Sequence, residues 1–271
     1  MRQFVCQSSP DASGRIRLSA KDSRYLLKVL RLADGDIIDA RLGDGSLVKM
    51  RLVLSGVGAA TDAFLVKAGQ DEGDAAVQGV TTGELSAAGS GQQLELWLFQ
   101  FLPKPQKMDV IVRQAAECGV KRIVPILGDY SVKNDADARI ERWERIVREA
   151  RQQSGSAVAT QIEQVMSVEQ AVDIWNNGDD AAAFVLHESP DYSAACLFEA
   201  ARSGSVKRAA VAVGCEGGMS ERELQVLMKA GFTPLHFVTN VLRAETAAIY
   251  GLAVVQQLLV GGLTDNECNK D

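Results

Sequence analysis

An α/β fold with a parallel sheet, preceded by a small β-rich module, is what this chain predicts, and two observations carry it. From residue 94 onward, apolar runs of strand length alternate with segments of helix length, the pattern of parallel strands joined by helical crossovers. Residues 1–67 instead read as short strands and turns. The 271 residues suffice for one large domain or two ordinary ones. The expected division is a module over 1–75, a linker over 76–93 and an α/β domain over 94–271.

In chain order, "SAKDSRYLLKVLRLADGD" predicts a short helix with Arg24, Lys28 and Arg31 at helical spacing on one face. "GDIIDARLGDGSLVKMRLVLSG" holds two alternating runs around Gly43-Asp44-Gly45, a hairpin signal. Residues 68–93 are rich in Gly, Ala, Ser and acid, the composition of a linker. "LELWLFQFL" is a buried strand. The helix after it, "KPQKMDVIVRQAAECG", turns Met108, Ile111, Val112 and Ala115 to one side and closes at Gly119. After the strand "KRIVPIL", "ARIERWERIVREARQQSG" is an amphipathic helix with Ile140, Trp143, Val147 and Ala150 inward and Arg142, Arg145, Arg148 and Arg151 displayed. Its interspersed Glu141, Glu144 and Glu149 favour a solvated face over a nucleic-acid contact. Strand "AAAFVLHE", helix "YSAACLFEAARSG", strand "AAVAVG", helix "SERELQVLMKAG", strand "LHFVTN" and a helix from Ala244 complete the pattern.

Composition narrows the class. Hydrophobic residues make up 46% and charged residues 24%, as in a soluble globular protein. No apolar run reaches membrane-spanning length, and "MRQFVCQSSPDASGR" lacks the apolar core of a secretory signal, so the expected setting is cytoplasmic. Cys6, Cys118, Cys196, Cys215 and Cys268 are scattered without paired spacing, which argues for reduced thiols and against a zinc site. With His187 and His236 as the only histidines, no metal centre is expected, and each reads as a packed residue. Net charge is −6, but residues 1–67 carry 11 Lys and Arg against 7 Asp and Glu, whereas the remainder carries 18 against 28. A locally basic module on an acidic protein is compatible with phosphate contacts, and equally with a solvated face.

Ligands of open α/β sheets bind at the carboxyl ends of the strands. Three loops fall there: Leu186-His187-Glu188, Gly214-Cys215-Glu216-Gly217-Gly218 and Val241-Leu242-Arg243-Ala244-Glu245-Thr246. The glycines allow close backbone approach, and Ser220 with Glu223 forms a capping box that starts the next helix. The turn fits neither GxGxxG nor a GK[ST] loop, and Glu216 would repel a phosphate. Three polar loops beside an apolar, Ala-rich helix suit adenosine and a thioether better than a pyrophosphate. Cys215 reads as a small apolar filler.

"VGCEGGMSERELQVLMKAGF" with "VLRAETAAIYGLAVVQQLL" resembles the SPOUT superfamily of knotted methyltransferases, within it the RsmE-type enzymes that methylate N3 of a uridine in 16S ribosomal RNA. "KMDVIVRQAAECGVKRIVPI", "DYSVK", "RWERIVREARQQSG" and "LLKVLRLADGD" extend the likeness over nearly the whole chain. Arginines of the family's pattern give way to Tyr130, to Ser156 with its neighbours and to Asn240. The resemblance implies a SPOUT-type parallel sheet with a C-terminal deep trefoil knot, behind a PUA-like β-barrel domain. It implies S-adenosyl-L-methionine held by Leu186, His187, Glu188, Gly214, Glu216, Gly217, Gly218, Val241, Leu242, Arg243 and Thr246. It also implies RNA contacts from Arg24, Lys28 and Arg31, a homodimer, and a substrate in the small ribosomal subunit. Arg243 is expected to stabilise charge on the uracil carbonyls, and Glu245 or Glu216 to act as general base if its environment raises its pKa. The arginine replacements keep two alternatives open: an RNA-binding relative without turnover, or a methyltransferase acting on another RNA.

Overall fold

The computed structural model describes residues 3–6, 9–43, 45–55, 62–68, 94–131, 139–175 and 178–268, with side chains through 260. The expected linker over 76–93, and Asp44 at the hairpin tip, lie outside the described residues. Two compact units emerge, one of Met1–Ser90 with Arg151–Ala159, the other of Gly91–Ala150 with Thr160–Asp271.

The first unit is a five-stranded sheet built from β1 (Phe4–Val5), β2 (Arg15–Arg17), β3 (Ile37–Arg41), β4 (Leu47–Ser55) and β5 (Asp62–Lys67), in the order β1-β3-β4-β5-β2. The expected hairpin is present, with Ile38 opposite Met50 and Ala40 opposite Val48. Period-two alternation turns Met50 and Leu52 of β4 and Ala63 and Leu65 of β5 into one core with Phe4, Ile16 and Leu26. Burial in that core, with Asp22 adding to it, pushes the Cys6 thiol up to about 12, so it serves as a packed apolar group.

The basic helix departs from expectation. Helix α1 (Ala20–Arg24) runs into a single π turn over Tyr25–Val29, and Arg31 adopts φ 58°. Leu32 N–H donates to the Leu26 carbonyl at 3.0 Å, a left-handed helix closure with Arg31 where glycine is usual. Arg24, Lys28 and Arg31 are all exposed, but Arg31 leaves the helical face that spacing assigned to it. A side chain in the left-handed region costs about 1 kcal/mol. Arg31→Gly is therefore expected to raise unfolding stability by roughly that amount, as a thermal or urea melt would register.

Local periodicity also misplaces Arg151. Arg142 and Arg145 are exposed, but Arg151 is only 8% exposed. It follows Val147 by four residues and so shares the inward stripe. Burial, then the charge of Arg41, holds its guanidinium below the usual range. Its carbonyl accepts from Gln3 Nε2 at 3.1 Å, while Arg41 donates to Gln3 Oε1 at 3.1 Å and to the Gly155 carbonyl at 3.0 Å. These bonds tie 151–159 into the first unit.

The second unit carries a wholly parallel six-stranded sheet: β6 (Glu95–Phe101), β7 (Arg122–Ile126), β8 (Gln161–Ile162), β9 (Ala181–Leu186), β10 (Arg208–Val213) and β11 (Phe232–Leu235), ordered β11-β9-β10-β6-β7-β8. β6 shows how both faces are covered. Leu96 and Leu98 pack with α2 (Pro105–Glu117), α3 (Ile140–Ser154, here through Ala150), α5 (Ala195–Ser203) and α7 (Ala244–Cys268). Trp97, Phe99 and Phe101 pack with α4 (Val168–Asp173) and α6 (Glu221–Lys229). β11 lies earlier than the expected "LHFVTN" and ends at Leu235. Pro234 is tolerated there because β11 is an edge strand. The earlier end frees 236–243 as a loop.

Candidate active site

Both sheet directions diverge at β6 and β10, and the carboxyl ends of β9, β10 and β11 open beside that switch. A cavity of about 440 Å³ lies there, lined by the Leu186–Glu188 end of β9, the Val213–Met219 turn after β10 and much of the loop Leu235–Ala244. Of the residues expected to hold a cofactor, Leu186, His187, Glu188, Gly214, Glu216, Gly217, Gly218, Val241, Leu242 and Arg243 converge on this one cavity. Thr246 does not line it. It stands exposed on the first turn of α7, where the helical period brings Ala244 and Ala247 to the cavity instead.

The glycine turn is closed by Cys215 N–H to Gly218 O at 3.2 Å and Gly218 N–H to Cys215 O at 3.0 Å. Gly218 has φ 76°, and at Gly214 a Cβ would lie 2.8 Å from the Gly218 carbonyl carbon. The capping box beyond it is made, with Ser220 N–H donating to Glu223 Oε2 at 2.8 Å and Glu223 N–H to Ser220 Oγ at 3.3 Å. Cys215 is buried, and burial raises its thiol, the state of a filler rather than a nucleophile. The histidines are held by packing: Ser189 N–H donates to His187 Nδ1 at 3.0 Å, and Tyr192 meets the His187 ring edge-on at 5.1 Å. His236 Nδ1 lies 3.4 Å from the His187 carbonyl.

Two residues unseen in the sequence organise the site. Lys107, on the first turns of α2, places Nζ 3.3 Å from Glu216 Oε1 and 3.2 Å from Glu245 Oε2, the latter off hydrogen-bond alignment but within charge-pairing range. Gln100, fully buried at the end of β6, donates to the carbonyls of Val213 and Gly214 at 3.3 Å each. Lys104 N–H adds a bond to Glu216 at 3.2 Å. The condition attached to the general base is thereby overturned. Partial burial raises the Glu216 carboxyl, but its own backbone N–H, that of Lys104 and the Lys107 ammonium outweigh burial and leave it below the usual range. At Glu245 burial is likewise outweighed by its backbone N–H, Lys107 and Arg243. Lys107 is raised, chiefly by Glu245.

The sign of the linkage follows. The lowered carboxylates add stability above their ordinary 4.5 and lose it as pH falls through their folded values. The raised lysine adds stability below its ordinary 10.5 and loses it as pH rises through its folded value. Melting curves of the wild type and a Glu216→Gln/Glu245→Gln variant should thus differ most in the neutral window and converge in acid. A gap that widens on acidification would contradict this bridge. No group of three or more His, Cys, Asp or Glu among the described residues is placed to hold a metal, and no helix there is long and apolar enough to cross a membrane.

A cavity at the strand ends of a parallel sheet, walled by a glycine turn without room for a side chain, defines a ligand-binding α/β domain. The chain belongs to the RNA methyltransferase domain family, whose pattern matches residues 90–256. It is 28% identical to ribosomal RNA small subunit methyltransferase E 2 of Borreliella burgdorferi, over 96% of this chain and 98% of that protein. It is also 28% identical to ribosomal RNA small subunit methyltransferase E of Buchnera aphidicola, over 61% of this chain but 64% of that protein, less than two thirds of its length. The solved structure of ribosomal RNA small subunit methyltransferase E from Neisseria gonorrhoeae, bound to S-adenosyl methionine, shares the fold with a TM-score of 0.74 at 22% identity, covering 95% of this chain and 98% of that one.

Proposed function

We propose that this protein transfers a methyl group from S-adenosyl-L-methionine to N3 of a uridine in 16S ribosomal RNA. The observation that carries the reading is the single cavity on which the three loops converge, within a chain of the RNA methyltransferase domain family. The residues present fit the cofactor. Leu186, Val213, Leu235 and Ala247 supply apolar wall for a nucleoside, Gly214 leaves no space for a Cβ at the turn, and Glu188 and Glu216 favour a cation over a phosphate. When bound, S-adenosyl-L-methionine supplies a methyl group on a cationic sulfur.

The chain's own residues do the rest. Arg243, lining the cavity, opposes the negative charge that grows on the uracil carbonyl oxygens as N3 gives up its proton. Glu216, which lines the cavity, and Glu245, which does not line it but shares Lys107 with Glu216, are the candidate proton acceptors. Their low basicity suffices because N3–H becomes far more acidic as its bond to carbon forms. The turn and Gln100 hold this array in place before substrate arrives.

The same reading includes the finer architecture: a deep trefoil knot in the C-terminal part, a PUA-like barrel over 1–75 that offers Arg24, Lys28 and Arg31 to RNA, a linker over 76–93, a methyltransferase domain over 94–271, and a cytoplasmic homodimer. The five-stranded sheet, its exposed bases and the all-parallel second sheet support it. The test is incubation with labelled S-adenosyl-L-methionine and small ribosomal subunits lacking the modification, followed by mass spectrometry of nucleosides. N3-methyluridine at one site is the expected product. Cofactor binding without any transfer would leave an RNA-binding relative, and label in another RNA would move the substrate.

A further inference from the structure

The loop that follows β7, through Ser131, holds an aromatic side chain in an unusual way. Tyr130 is 56% exposed, and among the described residues no other ring or cation stacks on it. Yet its stem is fixed. The Tyr130 Cβ lies 3.1 Å, and its Cγ 3.5 Å, from where a Cβ on Gly217 would stand, so the residue is seated on the glycine of the cavity turn.

The loop under it is tied down at several points. Ser131 N–H donates to Gly128 O at 3.1 Å and Gly128 N–H to Ser131 Oγ at 3.0 Å. Asp129 N–H donates to Oε1 of the buried Glu223 at 2.7 Å, and Ser220 Oγ–H donates to Asp129 Oδ2 at 2.6 Å. Arg222 pairs with Asp129 Oδ1 at 3.1 Å. Gly128 permits the approach, since a Cβ there would lie 2.5 Å from Phe101 and 2.7 Å from Glu223. The loop is thus bonded to the same helix start that follows the cavity turn.

We propose that Tyr130 is a stacking platform for the nucleobase next to the one that enters the cavity, and so a substrate-positioning residue. This rests on the RNA-methyltransferase reading above. Tyr130 lies against Gly217, which lines the cavity, but is not itself part of the lining, so the base it meets is a neighbour of the target. Enzymes acting on a base draw it out of its stack and read the flanking nucleotides. Single-stranded RNA is held by stacking bases on exposed aromatic rings, and a ring fixed before binding loses little freedom when it does so.

The experiment compares Tyr130→Phe, Tyr130→Leu and Tyr130→Ala in the full chain, with small ribosomal subunits lacking N3-methyluridine as substrate. S-adenosyl-L-methionine affinity is measured separately by calorimetry. Loss of one stacked base should raise KM for the subunits by about 5- to 150-fold in the Ala and Leu variants. The Phe variant should match the wild type, and kcat and cofactor affinity should hold in all three. Ultraviolet crosslinking of the wild type should place a nucleotide on the peptide containing Tyr130. Three results would overturn the proposal: an unchanged KM in the Ala variant, a Leu variant as good as Phe, or cofactor affinity that falls in step with KM, which would make the ring a mere support for Gly217. A wild type that binds cofactor but transfers no methyl would instead bring down the methyltransferase reading, and this inference with it.

Discussion

Replacing Arg243 with alanine lowers kcat for RNA methylation by about 10²- to 10³-fold while S-adenosyl-L-methionine affinity changes little, if its role is to meet charge that exists only in the transition state. Arg243 lines the cavity from the residue just before α7, a helix whose first turns pack into the domain core. It is exposed in the free protein, where water screens it. An RNA strand over the cavity would exclude that water and strengthen the same charge. Arg243→Lys should recover only part of the rate, because an ammonium cannot span two carbonyl oxygens as a planar fork does. A second readout separates this role from simple structure. After burial, the backbone N–H and Lys107, Arg243 is a further influence on the Glu245 carboxyl and holds it lower. Its loss should move the acidic limb of the pH–rate profile upward. A variant with normal kcat and weakened cofactor binding would show that Arg243 holds the cofactor and leaves the uracil carbonyls alone.

The elements legible in the sequence were those whose pattern is local. β6, β9 and β10 are short apolar runs, α2 closes at Gly119 with φ 77°, and α6 opens with a capping box, so each signal lies within a few residues of what it determines. β8 has two residues and α4 six, too short to carry a period. Arg31 and Arg151 were misread for opposite reasons. At Arg31 a left-handed closure interrupts a helical spacing, and at Arg151 burial of the stripe overrides the preference of a charge for solvent.

The same division holds at the site. The three loops could be found because strand ends in a parallel sheet face one way. Lys107 could not, because it reaches Glu216 from a different crossover helix; Lys104, which binds the same carboxylate, stands 112 residues away in the chain. Nor could the direction of the glutamate pKa shifts be read, since it depends on that distant ammonium. Tyr130 showed in the sequence only as a departure from an arginine pattern. Its seat on Gly217 is what gives the departure a physical meaning.

Gly214→Ala should weaken S-adenosyl-L-methionine binding about 10- to 100-fold, the equivalent of about 1.4 to 2.7 kcal/mol, and more than the same change at Gly217 or Gly218. The three glycines differ in what an added methyl group meets. At Gly214 it would stand 2.8 Å from Gly218 C, 2.9 Å from its Cα and 3.0 Å from its O, all backbone atoms that cannot rotate away. Relief requires the turn to open, which strains its two closing hydrogen bonds and the Gln100 bond to the Gly214 carbonyl. Overpacking of this kind costs about 1–3 kcal/mol, and it falls on the atoms that line the cavity. At Gly217 the new methyl meets the Tyr130 Cβ at 3.1 Å, a tight contact but a milder one than the backbone contacts of 2.8 and 2.9 Å at Gly214. At Gly218 nothing lies within 4 Å, and the penalty is the φ of 76°, a strain of about 1 kcal/mol borne by the fold more than by the cavity. Calorimetric titration of the three variants, each checked for an intact melting transition, tests the order. Gly214→Ala with wild-type affinity would mean that the turn after β10 is not a cofactor wall. Equal losses at all three positions would point to general loosening of the turn instead of a blocked close approach.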